Sequence, residues 1–125
     1  MEILAPISLG ELIDKITILQ IKAQNMKGKS LDNVRNELLA LESTLNQLQL
    51  DVDFNLIVRL KEVNTKLWNI EDAIRNEERK KSFGDSFIQL ARSVYQQNDI
   101  RASIKKEINT KYGSPFIEEK SYQEY

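Results

Sequence analysis

Two polar stretches in the second half of the chain hold the residues best suited to chemistry. Trp68, Glu71 and Arg75 are spaced three and four residues apart, so they share one face of a predicted helix. In the next helical pattern, Arg101 occupies a position where an apolar core residue is expected. If these helices run antiparallel from the turn between them, the two stretches meet in one cluster, which comprises Trp68, Glu71, Asp72, Arg75, Arg92, Tyr95, Asn98, Asp99 and Arg101.

Three interpretations of this cluster are open, the last of which is plain surface charge without a site. In the first, which we favour, its charged and amide groups form a buried network between the third and fourth helices. Such a network would fix how the helices align, because charges in an apolar seam persist only when they are paired. In the second, two arginines bind a carboxylate or phosphate between the rings of Trp68 and Tyr95. Glu71 and Asp99 would then position protons at the ligand.

The composition removes several classes of active site and partner. The chain has neither His nor Cys, which excludes disulfides, thiolate nucleophiles, Ser-His-Asp triads, the usual zinc sites and di-iron bundles. We expect neither a metal nor another cofactor. The net charge of −1 predicts no nucleic-acid or anionic-membrane partner. Without a signal peptide or an apolar run near the roughly 20 residues that cross a bilayer, the expected location is the cytoplasm.

The hydrophobic pattern predicts an all-α, four-helix fold in a single domain, residues 1–125. Apolar residues recur every three and four positions, in a heptad pattern typical of long packed helices. The predicted helices span about 9–26, 31–49, 54–80 and 85–112, after a short extended arm at 1–7 and before an irregular tail at 114–125. Short turns after the first and third helices predict two antiparallel helical hairpins.

The predicted helix ends follow from recognisable signals. Ser8 and Glu11 form a capping box at the first helix, with each side chain bonding the backbone of the other residue. Gly113 provides a left-handed stop after the fourth helix. The other predicted caps are Ser30, Asp51 or Asp53, and Ser82 or Asp85.

The first predicted helix is apolar on more than one side. Leu12, Ile16 and Leu19 follow one seam, whereas Ile13 and Ile18 lie off it. Such a helix is buried and must be covered from two directions. Because two hairpins carry more apolar surface than one small bundle covers, we predict a homodimer.

Several stretches resemble a family of short, all-helical bacterial and cyanophage proteins, known only as a domain of unknown function. They are residues 3–19 (ILAPISLGELIDKITIL), 67–72 (LWNIED), 90–95 (LARSVY), 98–102 (NDIRA) and 118–122 (EEKSY). The resemblance implies that the arm and tail belong to the domain. It also makes Glu11, Asp14 and Lys15 secondary site candidates, although we interpret that stretch as an ordinary helix start.

The favoured function is a non-catalytic binding or scaffolding module, homodimeric and with a possible further protein partner. A nucleotide-pyrophosphohydrolase-like enzyme is one alternative, but its carboxylate pairs at i,i+3 occur only once, at Glu11 and Asp14. A chorismate-mutase-like enzyme is another, since that reaction needs only cations around a dicarboxylate. Its candidate cations are Arg59, Arg75, Arg92, Arg101 and Lys105.

Overall fold

The computed structural model describes residues 1–125 and confirms the all-α fold. Its helices are α1 (Leu9–Asn25), α2 (Gly28–Gln47), α3 (Phe54–Arg79) and α4 (Asp85–Lys111), and it contains no strand. None of these helices combines the length and the apolar character needed to cross a membrane.

Helix α1 is the centre of the fold. It packs against α2, α3 and α4, whereas α2 contacts α1 alone and α3 pairs with α4. The core therefore forms where α1 lies against the α3–α4 pair, and its residues are Leu9, Ile13, Leu56, Leu60, Val63, Ile104 and Ile108. No residue of α2 is buried, so this helix covers one side of α1 and leaves its own outer face to solvent.

Three predicted helix ends agree with the structure. Ser8 accepts a hydrogen bond from the backbone N–H of Glu11 at 3.1 Å, and Asp53 accepts one from that of Asn55 at 2.9 Å. Gly113 adopts a φ of +65°, and the N–H that follows it bonds to the Asn109 carbonyl at 2.9 Å. These contacts satisfy backbone groups that helix ends leave unpaired.

The other predicted caps are wrong, although the predicted bounds of α1, α3 and α4 agree with the structure to within one residue. Helix α2 starts at Gly28, three residues earlier than predicted, because the left-handed φ of +64° at Gly28 reverses the direction of the chain there. The N-cap of α2 is Lys27, and Ser30 lies inside the helix. Helix α4 is preceded by Gly84, without a side-chain cap. The capping box at α1 is only half made, since the Glu11 carboxylate bonds Lys105 instead of the backbone of Ser8.

Helices α3 and α4 are longer than α1. All their buried residues lie at the end covered by α1, and none lies between 65 and 103. We call residues 65–103 the distal hairpin. Each of its helices is covered by the other. Ile18 and Ile21 of α1 still border its near end at Leu67 and Trp68, and the same side is open further along.

Candidate functional site

A buried carboxylate on α1 organises the polar interior. Asp14 is fully buried and receives two hydrogen bonds from the Arg101 guanidinium, one to Oδ1 at 2.9 Å and one to Oδ2. The amide Nδ2 of Asn64 donates to the same Oδ1 and to the hydroxyl of Thr17, both at 2.9 Å. The hydrogen bonding between Arg101 and Asp14 raises the pKa of the Arg101 guanidinium. The Asp14–Arg101 ion pair therefore joins α1 to α4, and Asn64 of α3 adds a third hydrogen bond to the Asp14 carboxylate.

A second cation on α4 extends this network. The Lys105 ammonium donates to Glu11 at 2.7 Å and to Glu118 of the tail at 3.0 Å, and it lies 3.9 Å from the Asp14 carboxylate. Burial lowers the pKa of Lys105, but its hydrogen bonds with the two glutamates outweigh burial, so that the pKa lies above its ordinary value. The network is internally satisfied and contains no free acid or base.

Gly10 lets α1 approach α4 closely enough for this network to form. Its backbone N–H donates to Oδ1 of Asn109 at 2.7 Å. A Cβ at Gly10 would lie 2.6 Å from the Lys105 carbonyl oxygen and 2.9 Å from Asn109 Oδ1, closer than side-chain carbons pack. The absence of a side chain at Gly10 thus sets the separation at which Asp14 reaches Arg101.

The predicted network between α3 and α4 is wrong in its pairing. Arg101 binds Asp14 of α1, the helix that packs against both α3 and α4. Glu71 and Arg75 pair with each other along α3 at 3.2 Å, with half and four-fifths of their side chains exposed. They form a surface pair and do not reach α4.

Six of the nine predicted residues nevertheless line one cavity of about 430 Å³ just beyond the buried ion pair. They are Trp68, Glu71, Asp72, Arg75, Asn98 and Arg101, and the other walls come from Ile18, Ile21, Asn64 and Leu67. No three acidic side chains converge in a way that suits a metal ion. The cavity has one apolar wall and one polar wall, as binding sites for small organic molecules do.

The remaining candidates lie outside the cavity. Tyr95 and Asp99 meet the tail, where the Tyr125 hydroxyl donates to Asp99 and the rings of Tyr95 and Tyr125 are 5.0 Å apart, edge to face. Arg92 is exposed and joins neither group. Among the secondary candidates, Glu11 and Asp14 belong to the ion network, whereas the exposed Lys15 approaches only Glu11, at 3.6 Å.

One family model matches residues 3–125 of the chain. The chain belongs to DUF6165, a family of unknown function. No curated protein and no solved structure matches it. The family match includes the arm from residue 3 onward and the whole tail, which agrees with the tail contributing Glu118 to the polar network.

Acid is expected to loosen the tail. The hydrogen bond from Lys105 lowers the pKa of Glu118, so this contact stabilises the folded tail at neutral pH and is lost as the pH falls through that lowered value. An NMR titration from about pH 7 to about pH 3, around the ordinary range of carboxyl groups, should shift the amides of residues 114–125 together. The Glu118→Gln variant should show the released positions already at neutral pH. Unchanged tail amides in this variant would contradict the anchoring role.

Proposed function

We propose that this protein is a cytoplasmic, non-catalytic helical module that forms a homodimer and presents the paired distal hairpins as a binding or scaffolding surface. One observation carries the proposal: no residue between 65 and 103 is buried, although this segment is rich in apolar side chains at helical spacing. They are Leu67, Trp68, Ile70, Ile74, Phe87, Ile88, Leu90 and Val94.

The open side of the distal hairpin continues the groove that α1 fills near the core. Where α1 is present, α3 and α4 bury Leu60 and Ile108 completely. Beyond α1, residues at equivalent spacing, such as Ile74 and Val94, are only half-buried. Covering apolar surface contributes about 25 cal/mol per Å², so a helical neighbour in this groove would be stabilising.

The charges along α3 favour a second copy as that neighbour. Arg79, Lys80 and Lys81 lie together at the tip of the hairpin, directly after Glu77 and Glu78, and Glu71 and Asp72 lie about 12 Å back along the helix at 1.5 Å per residue. In a two-fold arrangement with the hairpins antiparallel, the tip of each copy lies beside the acids of the other. A self-complementary pattern of this kind suits an isologous dimer.

Sedimentation equilibrium at micromolar concentrations tests this proposal. We expect a mass of twice the 14.5 kDa of one chain. Ile74→Glu should convert the dimer to a monomer, because the two-fold arrangement brings both copies of Ile74 close to the axis and would bury two like charges. Asn69→Glu, an exposed position on the outer face of the same helix, is the matched control and should remain dimeric.

Circular dichroism on both variants separates lost association from lost folding. The proposal requires that Ile74→Glu keep its helical signal while losing mass. A wild-type chain that sediments as a compact monomer across this concentration range contradicts the homodimer.

The alternative of a small all-α enzyme that uses its arginines as an anion pocket, whether chorismate-mutase-like or nucleotide-pyrophosphohydrolase-like, has less support. Arg75 and Arg101 both line the cavity, but each already binds a carboxylate of this chain. An incoming anion would have to compete with Glu71 and with the buried Asp14. Breaking the Arg101–Asp14 pair would leave a fully buried carboxylate without its cation, which is costly.

A further inference from the structure

We propose that the cavity beside Trp68 is a binding site for an organic cation, an ammonium or guanidinium group carried on an apolar stem. This goes beyond the proposed homodimer, since it rests on the lining of the cavity alone.

The charge of the cavity favours a cation. The two arginines in its wall are each neutralised, one by Glu71 on the same helix and one by Asp14 beneath the floor. Asp72 also lines the cavity and has no cationic partner within salt-bridge distance. The uncompensated charge at the site is therefore negative.

The amide oxygen of Asn64 adds a second acceptor. Asn64 is 4% exposed and lines the cavity. Its Nδ2 donates hydrogen bonds to Asp14 and Thr17. Its Oδ1 accepts no hydrogen bond from the protein. A carboxylate and an unpaired carbonyl oxygen match the several N–H donors of an ammonium or guanidinium group, whereas they offer nothing to an anion.

The remaining wall suits the stem of such a ligand. Ile18, Ile21 and Leu67 give an apolar surface beside the Trp68 indole. A cation near the indole face would be attracted by the ring quadrupole. The volume of about 430 Å³ lies within the roughly 300–1,000 Å³ typical of small-molecule sites. The site therefore fits a small amine with a hydrocarbon portion.

Such a cation has two possible sources with the same chemistry. One is a free amine of low molecular mass. The other is the basic tip of a second copy, residues 79–81, which the proposed two-fold arrangement places next to Asp72. Experiments with and without that tip distinguish the two.

Trp68 is the only tryptophan of the chain, so its fluorescence reports directly on the cavity. We expect phenethylamine to give a saturable change in Trp68 emission, and its neutral and anionic relatives, phenethyl alcohol and phenylacetate, to bind at least tenfold more weakly. Asp72→Asn should weaken amine binding about tenfold, since it removes the unpaired charge. Asp32→Asn, an exposed position on α2, is the matched control and should bind like the wild type.

The triple variant Arg79→Gln, Lys80→Gln, Lys81→Gln identifies the source. If it binds the amine more tightly than the wild type and loses dimer mass, the natural occupant is the tip of the second copy. If amine binding is unchanged, the occupant is a free amine. The inference is overturned if neither chain responds to phenethylamine, if phenylacetate binds as well, or if Asp72→Asn binds like the wild type. A dimer without amine binding would overturn this inference and leave the proposed function intact.

Discussion

Arg101→Leu is expected to lower the free energy of unfolding by about 2–3 kcal/mol. The substitution leaves the fully buried Asp14 carboxylate without the guanidinium that donates two of its hydrogen bonds. Removing one partner of a buried pair typically costs roughly 3–5 kcal/mol. We expect a smaller loss here, because the Arg101 side chain keeps 28% exposure and the Lys105 ammonium lies 3.9 Å from the same carboxylate.

Urea denaturation followed by circular dichroism measures this loss. Arg75→Leu is the matched control, since it removes the other arginine of the cavity from an exposed pair that contributes under about 1 kcal/mol. Adding Asp14→Asn to Arg101→Leu should recover part of the stability, because it replaces a stranded charge with a neutral amide. Equal midpoints for Arg101→Leu and Arg75→Leu would show that the pair with Asp14 does not stabilise the fold.

The all-α architecture followed from the spacing of apolar residues along the chain. Steps of three and four fix which face of each helix is buried, and local signals at Ser8, Asp53 and Gly113 fix where helices begin or end. Those signals act over one turn, so the sequence nearby contains them. Where the first hairpin reverses, the determinant is the left-handed backbone of Gly28, and Ser30 gave a misleading cap signal.

The pairing inside the polar interior could not be predicted in the same way. Periodicity places Arg101 in a buried seam and predicts a charged partner for it, but it does not say from which helix the partner comes. Asp14 lies 87 positions away in sequence, on a helix whose apolar faces point several ways. Ile13 and Ile16 are buried on either side of Asp14. An acidic residue between two apolar residues was therefore the sequence signal that could have identified Asp14 as the partner of Arg101.

The cavity likewise depends on three helices. Ile18 and Ile21 of α1 line it together with Trp68 and Asp72 of α3, but the side of α3 that is buried at Asn64 is only partly covered at Trp68 and exposed at Asp72. Six candidates therefore line one cavity, but they do so beside α1 and without the predicted network between two helices.

Gly10→Ala is expected to destabilise the protein by about 2 kcal/mol. In an isolated helix this change stabilises by about 1 kcal/mol. Here the new Cβ would lie 2.6 Å from the backbone carbonyl of Lys105, and a backbone atom cannot rotate away as a side-chain end does. Overpacking of this kind costs roughly 1–3 kcal/mol. Moving α1 outward also weakens the bond of Gly10 to Asn109 and the contact of Asp14 with Arg101.

Gly84→Ala is the control for this prediction, because no atom lies within 4 Å of a Cβ built there and its backbone φ is −83°. Its unfolding free energy should change by less than about 1 kcal/mol, the usual effect of a single cap position. Comparing the two alanine variants thus separates the effect of helix propensity from the effect of the contact between α1 and α4. If Gly10→Ala melts above the wild type, propensity outweighs contact. The close approach of α1 to α4 would then not be what holds Asp14 against Arg101.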